Sequence, residues 1–183
     1  PIESTLQPST YEEVTSEEVE TIKAEFPKIS ISKRLICVAA FFAVSFVSTL
    51  AGTLSNMDIS EAKTMVQEVE DLRNLLLSVP QVGVAMIFGN NMMHCLSMFV
   101  PVLGLIRGIY VLYSTGRVLA ALGLIYGSNP LYLLIVTFIF PHALMEYVAY
   151  SIAFSEGFLL TYVMVRRGFR AAKHELNNTV KLI

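Results

Sequence analysis

Residues 141–147 read Pro-His-Ala-Leu-Met-Glu-Tyr, and they lie inside a nearly continuous apolar run that extends from residue 131 to residue 165. His142 and Glu146 are four positions apart, which places two side chains on one face of an α-helix, about one turn apart. Ionisable groups at membrane depth are costly, and they normally face a protein interior or a water-filled cavity. This stretch therefore predicts a polar site carried by an apolar helix.

The composition indicates a helical membrane protein. Of the 183 residues, 54% are hydrophobic and only 15% are charged, whereas soluble domains have about 25% charged residues. Apolar windows long enough to cross roughly 30 Å of hydrocarbon recur along the chain, without the alternation of barrel strands. We predict an all-α, polytopic transmembrane helical bundle of about four to five spans, with broken or re-entrant helices and one amphipathic extramembrane helix.

Charge is concentrated at the two ends of the chain. Residues 1–27 carry seven acids and one base, and residues 166–183 carry five bases and one acid. Bases next to apolar runs are typical of the cytoplasmic side, so we predict a multi-pass protein of the cell membrane with both termini cytoplasmic. The predicted parts are an acidic arm at 1–34, a transmembrane domain at 35–165 and a basic tail at 166–183.

Residues 55–79 form a segment of a different kind, because apolar residues recur every three or four positions between charged ones. This spacing predicts an amphipathic helix at about 58–79, with Asp58 as its N-cap and Pro80 at its end. The segment is too charged to span a membrane. It can lie on the membrane surface or over the mouth of the bundle, or it can serve as a docking surface for a partner.

The remaining apolar sequence allows more than one division into helices. Residues 82–126 can form two spans with a turn near residues 101–104, or one long helix from about 90 to 113 that breaks at residues 114–116. Residues 131–165 are too long for one span, and Pro141 and residues 155–157 are the expected interruptions. Small residues in these runs, such as Gly104, Gly108 and Gly116, indicate close helix packing.

Seven polar residues in the apolar runs are candidates for a functional site. The candidates for a polar intramembrane network are Asn90, Asn91, His142 and Glu146, with Arg107, Arg117 and Glu156 as possible ion-pair partners. His142 and Glu146 can form an ion pair, a proton relay or part of a metal site, or they can be a hydrogen-bonded structural pair. Spacing alone does not choose which arginine pairs with Glu146 or Glu156.

The sequence contains no set of residues typical of an enzyme. It has no nucleophile elbow, no phosphate-binding loop, no Cys-x-x-Cys motif and no dinucleotide fingerprint. Zinc needs three or four ligands, and the His-Glu-x-x-His signature is absent. We therefore predict no catalytic activity, no metal and no other cofactor. No basic surface suggests nucleic acid, and the expected partners are the lipid bilayer and other membrane subunits or a second copy.

Three motifs resemble the stage II sporulation protein M family, whose hallmarks are an Asn-Asn pair, an Asn-Gly turn and a Pro-His-Gly-x-x-Glu motif. The matching segments are Ile87-Phe88-Gly89-Asn90-Asn91, Thr115-Gly116 and Pro141-His142-Ala143-Leu144-Met145-Glu146. The resemblance covers roughly residues 35–165, and Thr115 and Ala143 depart from the family pattern. It implies that Asn90, Asn91, His142 and Glu146 form the family's polar motif. It also implies a non-enzymatic membrane component.

Two hypotheses on function follow from these observations. The first is a non-enzymatic integral membrane scaffold or subunit of a larger membrane complex. The alternative is a small transporter or channel component that uses the intramembrane pair of His142 and Glu146. Separately, the polar network predicts a contact that the structure can test, with Asn90 or Asn91 within hydrogen-bond reach of His142 or Glu146.

Overall fold

The computed structural model describes residues 29–180, and these residues are helical without any strand. The helices are α1 (Ile31–Thr53), α2 (Ile59–Ser78), α3 (Pro80–Met98), α4 (Leu103–Tyr126), α5 (Pro130–Ile139), α6 (Pro141–Arg167) and α7 (Phe169–Val180). This confirms the all-α class. The acidic arm at 1–34 lies outside the described residues except for its last six positions, 29–34.

Three of the helices, α1, α4 and α6, are long and apolar enough to cross a membrane. Helix α5 is apolar but only ten residues long. Helix α3 has 19 residues, but Asn90, Asn91 and His94 lower its hydropathy, and it is not among the three. The described residues thus give three clear candidate spans, below the four to five predicted.

Proline residues decide where several helices begin. Pro80, Pro130 and Pro141 each occupy the first turn of a helix, where the missing N–H has no intrahelical partner to lose. The interruption at Pro141 is confirmed, because α5 ends at Ile139 and α6 begins at Pro141. The interruption at residues 155–157 is wrong, since α6 continues through them to Arg167.

Residues 82–126 follow the first of the two predicted divisions. Helices α3 and α4 meet at residues 99–102, and residues 114–116 lie inside α4 without a break. The helix continues there because Gly116 is buried against α1. A methyl group added at Gly116 would overlap the carbonyl oxygen of Thr49, and one added at Gly52 would overlap the carbonyl oxygen of Tyr113. Small residues thus bring the two backbones together, as the sequence indicated.

The long helices alternate in direction. Thr49 contacts Tyr147 and Arg34 contacts Glu156, so α1 and α6 are antiparallel. Asn91 lies beside Tyr150, and the Met98 carbonyl lies beside Gly157, so α3 is parallel to α6. Helix α4 is antiparallel to α6, because Val102, just before its start, bonds Thr161 while Gly108 lies against Phe154. The chain therefore passes along the bundle four times.

The core lies where α1, α3, α4 and α6 meet. Met98, Leu112 and Phe154 are at most 1% exposed. The Phe41 ring of α1 lies 4.6 Å from the Phe154 ring, at a tilted angle. Phe138 of α5 lies 4.7 Å from the Tyr147 ring, edge to face. Aromatic contacts of this kind stabilise a core beyond the area they bury, and they fix the rotation of α6, which carries most of the polar candidates.

The amphipathic segment forms α2, but only its first half packs against the bundle. Ala62 and Val66 are buried against Ala121 of α4, whereas Leu75 and Leu77 are more than half exposed. Asp58 occupies the predicted N-cap position without a capping hydrogen bond from its side chain. The predicted apolar face is therefore present, and in its second half Leu72 and Leu75 are each at least half exposed.

The predicted basic tail at 166–183 is largely a helix. Helix α7 covers residues 169–180 and buries Ala171, Ala172 and Glu175. Small side chains let α7 approach α6 closely, and Val163 of α6 is part of the same apolar cluster. Residues 181–183 lie outside the described part of the chain.

Candidate functional site

Tyr150 is the centre of the polar network between α3 and α6. Its side chain is 97% buried, and its hydroxyl lies 2.7 Å from Oε1 of Glu146 and 3.1 Å from Oδ1 of Asn91. The hydroxyl has one proton, which it can donate to either oxygen. If the Asn91 amide is turned by half a revolution, its NH₂ donates to the phenolic oxygen while the hydroxyl donates to Glu146, and all three groups are satisfied.

His94 completes this group on the side of α3. It is one turn after Asn91, so both face α6, and its ring lies edge-on to Tyr150 with 6.3 Å between centroids. We name Asn91, His94, Glu146 and Tyr150 the Tyr150 network. All of its members except Tyr150 are only half-buried.

The predicted contact between the Asn90–Asn91 pair and the His142–Glu146 pair exists, but only through a third residue. Asn91 and Glu146 share the Tyr150 hydroxyl instead of bonding each other. Asn90 is exposed, because adjacent residues on a helix point about 100° apart. Sequence reasoning missed Tyr150, although its position one turn after Glu146 was the available signal.

His142 lies apart from the network. It is exposed, and its ring contacts the Phe140 ring at 5.9 Å between centroids. Pro141 starts α6, so His142 is in the first turn, at the N-terminal end of the helix. The carboxylate of Glu146 instead faces Tyr150, one turn further into the bundle. Helical spacing put His142 and Glu146 on adjacent turns, but it did not join them.

A second polar group, which the sequence did not reveal, lies where α1, α6 and α7 meet. Arg34 forms salt bridges to Glu156 of α6 and to Glu175 of α7. Thr179 lies 3.2 Å from both the Arg34 Nη1 and the Glu156 Oε2 atoms. We name these four residues the Arg34 cluster. Each of them is at most 7% exposed, so this is the most deeply buried charged group of the described chain.

The Arg34 cluster contains more buried acids than bases, which affects its contribution to stability. Two carboxylates face one guanidinium, and the Nε atom of Arg34 is buried without a hydrogen-bond partner. Charges taken out of water are costly unless they are paired and hydrogen-bonded. The cluster therefore ties the first turn of α1 to the last two helices, and losing Arg34 would leave two buried carboxylates without a cation.

The arginines pair differently from what the sequence suggested. Arg117 forms a 2.6 Å salt bridge with Glu61 of α2, and Glu156 pairs with Arg34, so neither forms a pair predicted for it. Arg107 is exposed. The Tyr126 hydroxyl also donates to Glu70 of α2. These contacts hold α2 along α4 from Glu61 as far as Glu70.

The arrangement of both polar groups suits structural and proton-exchanging roles. Among residues 29–180, no three His, Cys, Asp or Glu side chains lie close enough together to hold a metal ion. The Tyr150 network pairs a carboxylate with a phenol, a chemistry that can fix helices or exchange a single proton. The Arg34 cluster can lock helices together through fixed charges.

Comparison with protein families gives one finding. The family model described as Stage II sporulation protein M matches residues 34–183, most of the chain. The chain therefore belongs to that family, as its three motifs indicated. Comparisons with curated proteins and with solved structures gave no match.

Proposed function

We propose that this member of the Stage II sporulation protein M family is a non-catalytic, multi-pass membrane protein that acts as a scaffold or subunit of a larger membrane complex. The observation that carries the proposal is that its polar side chains contact other helices of the same chain. The Arg34 cluster and the Tyr150 network both join the protein's own helices. Groups used in this way hold a framework together and do not present a reaction centre.

The proposed topology has four crossings. Helices α1, α4 and α6 supply three, and α3 supplies a fourth whose polar side chains face α6, inside the bundle. The first turn of α1 and the helix α7 lie at the same end of the bundle, since Arg34 contacts Glu175. Four bases, Arg166, Arg167, Arg170 and Lys173, lie at this end, which supports a cytoplasmic location for it.

The proposed contact surface for other subunits is the second half of α2. This half is amphipathic and carries Leu72 and Leu75, which share one face of the helix and are each at least half exposed. Helix α2 is not among the apolar candidate spans. Exposed apolar residues on an otherwise charged helix typically mark a protein contact.

A charge placed on this surface tests the proposal. Leu75→Lys would put an ammonium into the contact, and Thr64→Lys on the first half of the same helix is the matched control. We expect the wild-type chain and the control to migrate as a complex after extraction in mild detergent. The Leu75→Lys variant should migrate as a smaller species. A wild-type chain that is already a lone monomer, or two variants that behave alike, would count against the proposal.

A transporter or channel component is the alternative, and one observation favours it. Glu146 is an ionisable group that is only half-buried between α3 and α6, beside Tyr150 and His94. Such groups at membrane depth often mark ion or proton paths. Ion-dependent or pH-dependent flux through liposomes that contain the protein would support this function. Absence of flux, or flux unchanged in Glu146→Gln, would argue against it.

A further inference from the structure

An apolar groove lies at the end of the bundle where α6 ends and α7 begins. Its volume is about 320 Å³, near the lower limit of ligand pockets, which span roughly 300–1,000 Å³. The walls come from α3, the α3–α4 connection, α6 and α7, and they include Leu96, Phe99, Val100, Leu160, Met164 and Leu176. Almost all of the lining is apolar, which suits a hydrocarbon chain.

The wall formed by the α3–α4 connection is strained. Val102, which follows the groove residue Pro101, has φ +65° and ψ −59°, a backbone conformation that β-branched residues rarely adopt. The Leu103 N–H donates to the Pro101 carbonyl at 2.8 Å, closing a γ-turn. The Val102 N–H donates to Thr161 of α6, also at 2.8 Å. Strain that neighbouring elements hold in place is concentrated at ligand sites and switches.

The groove has a positively charged rim. Lys173 is one of its lining residues, and Arg166, Arg167 and Arg170 are exposed on the adjoining turns of α6 and α7. Among residues 29–180, no carboxylate forms a salt bridge with any of these four bases. The groove therefore combines an apolar interior with bases that lack a carboxylate partner in the described chain.

We propose that this groove binds one anionic phospholipid, with an acyl chain in the apolar interior and the phosphate against Lys173. The apolar walls would contact the acyl chain, and the basic rim would attract the charged headgroup. Basic pockets between membrane helices bind acidic lipid heads. A zwitterionic lipid would pack against the same walls, but the basic rim would attract it much less because it has no net charge. The site is separate from both the Arg34 cluster and the Tyr150 network.

A photo-crosslinking amino acid in place of Val100 tests this assignment in the full-length chain. Val100 is 44% exposed and lines the groove, and Val84, which is 70% exposed and does not line it, is the control position. The protein is placed in liposomes with equal amounts of phosphatidylglycerol and phosphatidylcholine. After irradiation, mass spectrometry identifies the adducts. We expect about fivefold enrichment of phosphatidylglycerol at position 100, and no preference at position 84.

Lys173→Gln, combined with the probe at position 100, tests the role of the rim. We expect this variant to lose most of the enrichment, whereas Lys63→Gln, an exposed base on α2, should keep it. Thermal unfolding of both variants, compared with the parent, confirms that the fold is intact. Equal labelling by the two lipids at position 100, or an equal loss in both lysine variants, would overturn the proposal. Adducts at position 100 to residues 1–28 or to a second copy, in place of lipid, would also overturn it.

Discussion

The Arg34 cluster and the Tyr150 network both join distant helices with polar side chains, but they differ in how deeply the protein buries them. Every member of the Arg34 cluster is at most 7% exposed. In the Tyr150 network only Tyr150 is buried, while Asn91, His94 and Glu146 are half-buried. A partly solvated group can exchange a lost partner for water, whereas a buried ion cannot.

This difference separates the residues that stabilise the fold from those that carry the family motif. Asn91 and Glu146 belong to the motif, yet their surroundings allow them to lose a hydrogen bond at modest cost. Arg34 and Glu175 lie outside every motif identified in the sequence, yet they hold the two ends of the described chain together. We therefore expect the largest effects on stability at the Arg34 cluster.

Arg34→Met is expected to have the largest effect. It keeps most of the side-chain volume but leaves Glu156 and Glu175 buried without a cation. Removing one partner of a buried ion pair destabilises a protein by about 3–5 kcal/mol. The free energy of unfolding, measured by titration with a denaturing detergent in mixed micelles, should fall by that amount. A loss below about 1 kcal/mol would mean that water reaches the cluster, and the contrast between the two regions would disappear.

The matched control replaces the whole charged group. In Arg34→Met with Glu156→Leu and Glu175→Leu, no buried charge remains, and apolar residues of similar volume fill the space. Such replacements are often neutral or stabilising. The triple variant should therefore be more stable than Arg34→Met alone. If it is no more stable than Arg34→Met, the loss in the single variant does not come from the unpaired carboxylates.

Gly116→Ala should have the second-largest effect, and it acts on one region more than on the other. The new methyl group would overlap the Thr49 carbonyl oxygen and push α1 away from α4. Overpacking of this kind costs about 1–3 kcal/mol. Because Thr49 contacts Tyr147 of α6, hydrogen exchange around Tyr147 and Tyr150 should increase, whereas exchange in α7, which meets α1 about four helical turns away at Arg34, should change less. Equal increases in both places would show that the two regions are not independent.

Much of the fold follows from local signals in the sequence. Pro80, Pro130 and Pro141 mark helix starts because proline fixes φ and lacks an N–H. Gly127, with φ +65°, ends α4 in a left-handed conformation that glycine favours. The tail helix α7 was missed because its charges concealed a buried face of small residues, among them Ala171 and Ala172. Its position depends on packing against α6, which no local pattern specifies.

The candidate site was only partly predictable, for a related reason. Helical periodicity identifies which residues share a face of one helix. The contact between the Asn90–Asn91 pair and Glu146 was predicted instead because these polar residues lie in apolar runs. Periodicity does not give the rotation of one helix against another, which decides that Tyr150 lies between them and that His142 does not. The salt bridge between Arg34 and Glu175 joins residues 141 positions apart. A single sequence carries no signal for a contact at that separation.

Tyr150→Phe should have a smaller effect than either change above. It removes the hydroxyl that Asn91 and Glu146 share and keeps the buried ring. A hydrogen bond contributes about 0.5–1.5 kcal/mol, and polar contacts between membrane helices average about 0.6 kcal/mol. We expect a loss of about 1 kcal/mol in the same unfolding titration. Tyr147→Phe, which removes the 2.6 Å contact to Thr49, is a matched control at a buried site outside the network.

A much larger loss in Tyr150→Phe than in Tyr147→Phe would contradict the comparison, because it would show that water does not compensate the half-buried groups. Glu146→Gln separates charge from hydrogen bonding, since the amide oxygen can still accept from the Tyr150 hydroxyl. Its stability should therefore stay close to that of the parent protein. A pronounced change would mean that the charge of Glu146 matters for the fold.

His142→Ala should have the smallest effect of all, although His142 belongs to the motif by sequence. Its side chain is exposed, and within residues 29–180 its one ring contact is with Phe140. Surface substitutions away from special features change stability by less than about 0.5 kcal/mol. Stability should therefore be unchanged, while association with other subunits, measured by migration in mild detergent, is the property that His142 can still affect. If stability falls as much as in Tyr150→Phe, the histidine acts within the Tyr150 network, and the division between motif and framework fails. If stability and association are both unchanged, His142 serves neither the fold nor assembly, and the motif's role narrows to Asn91 and Glu146.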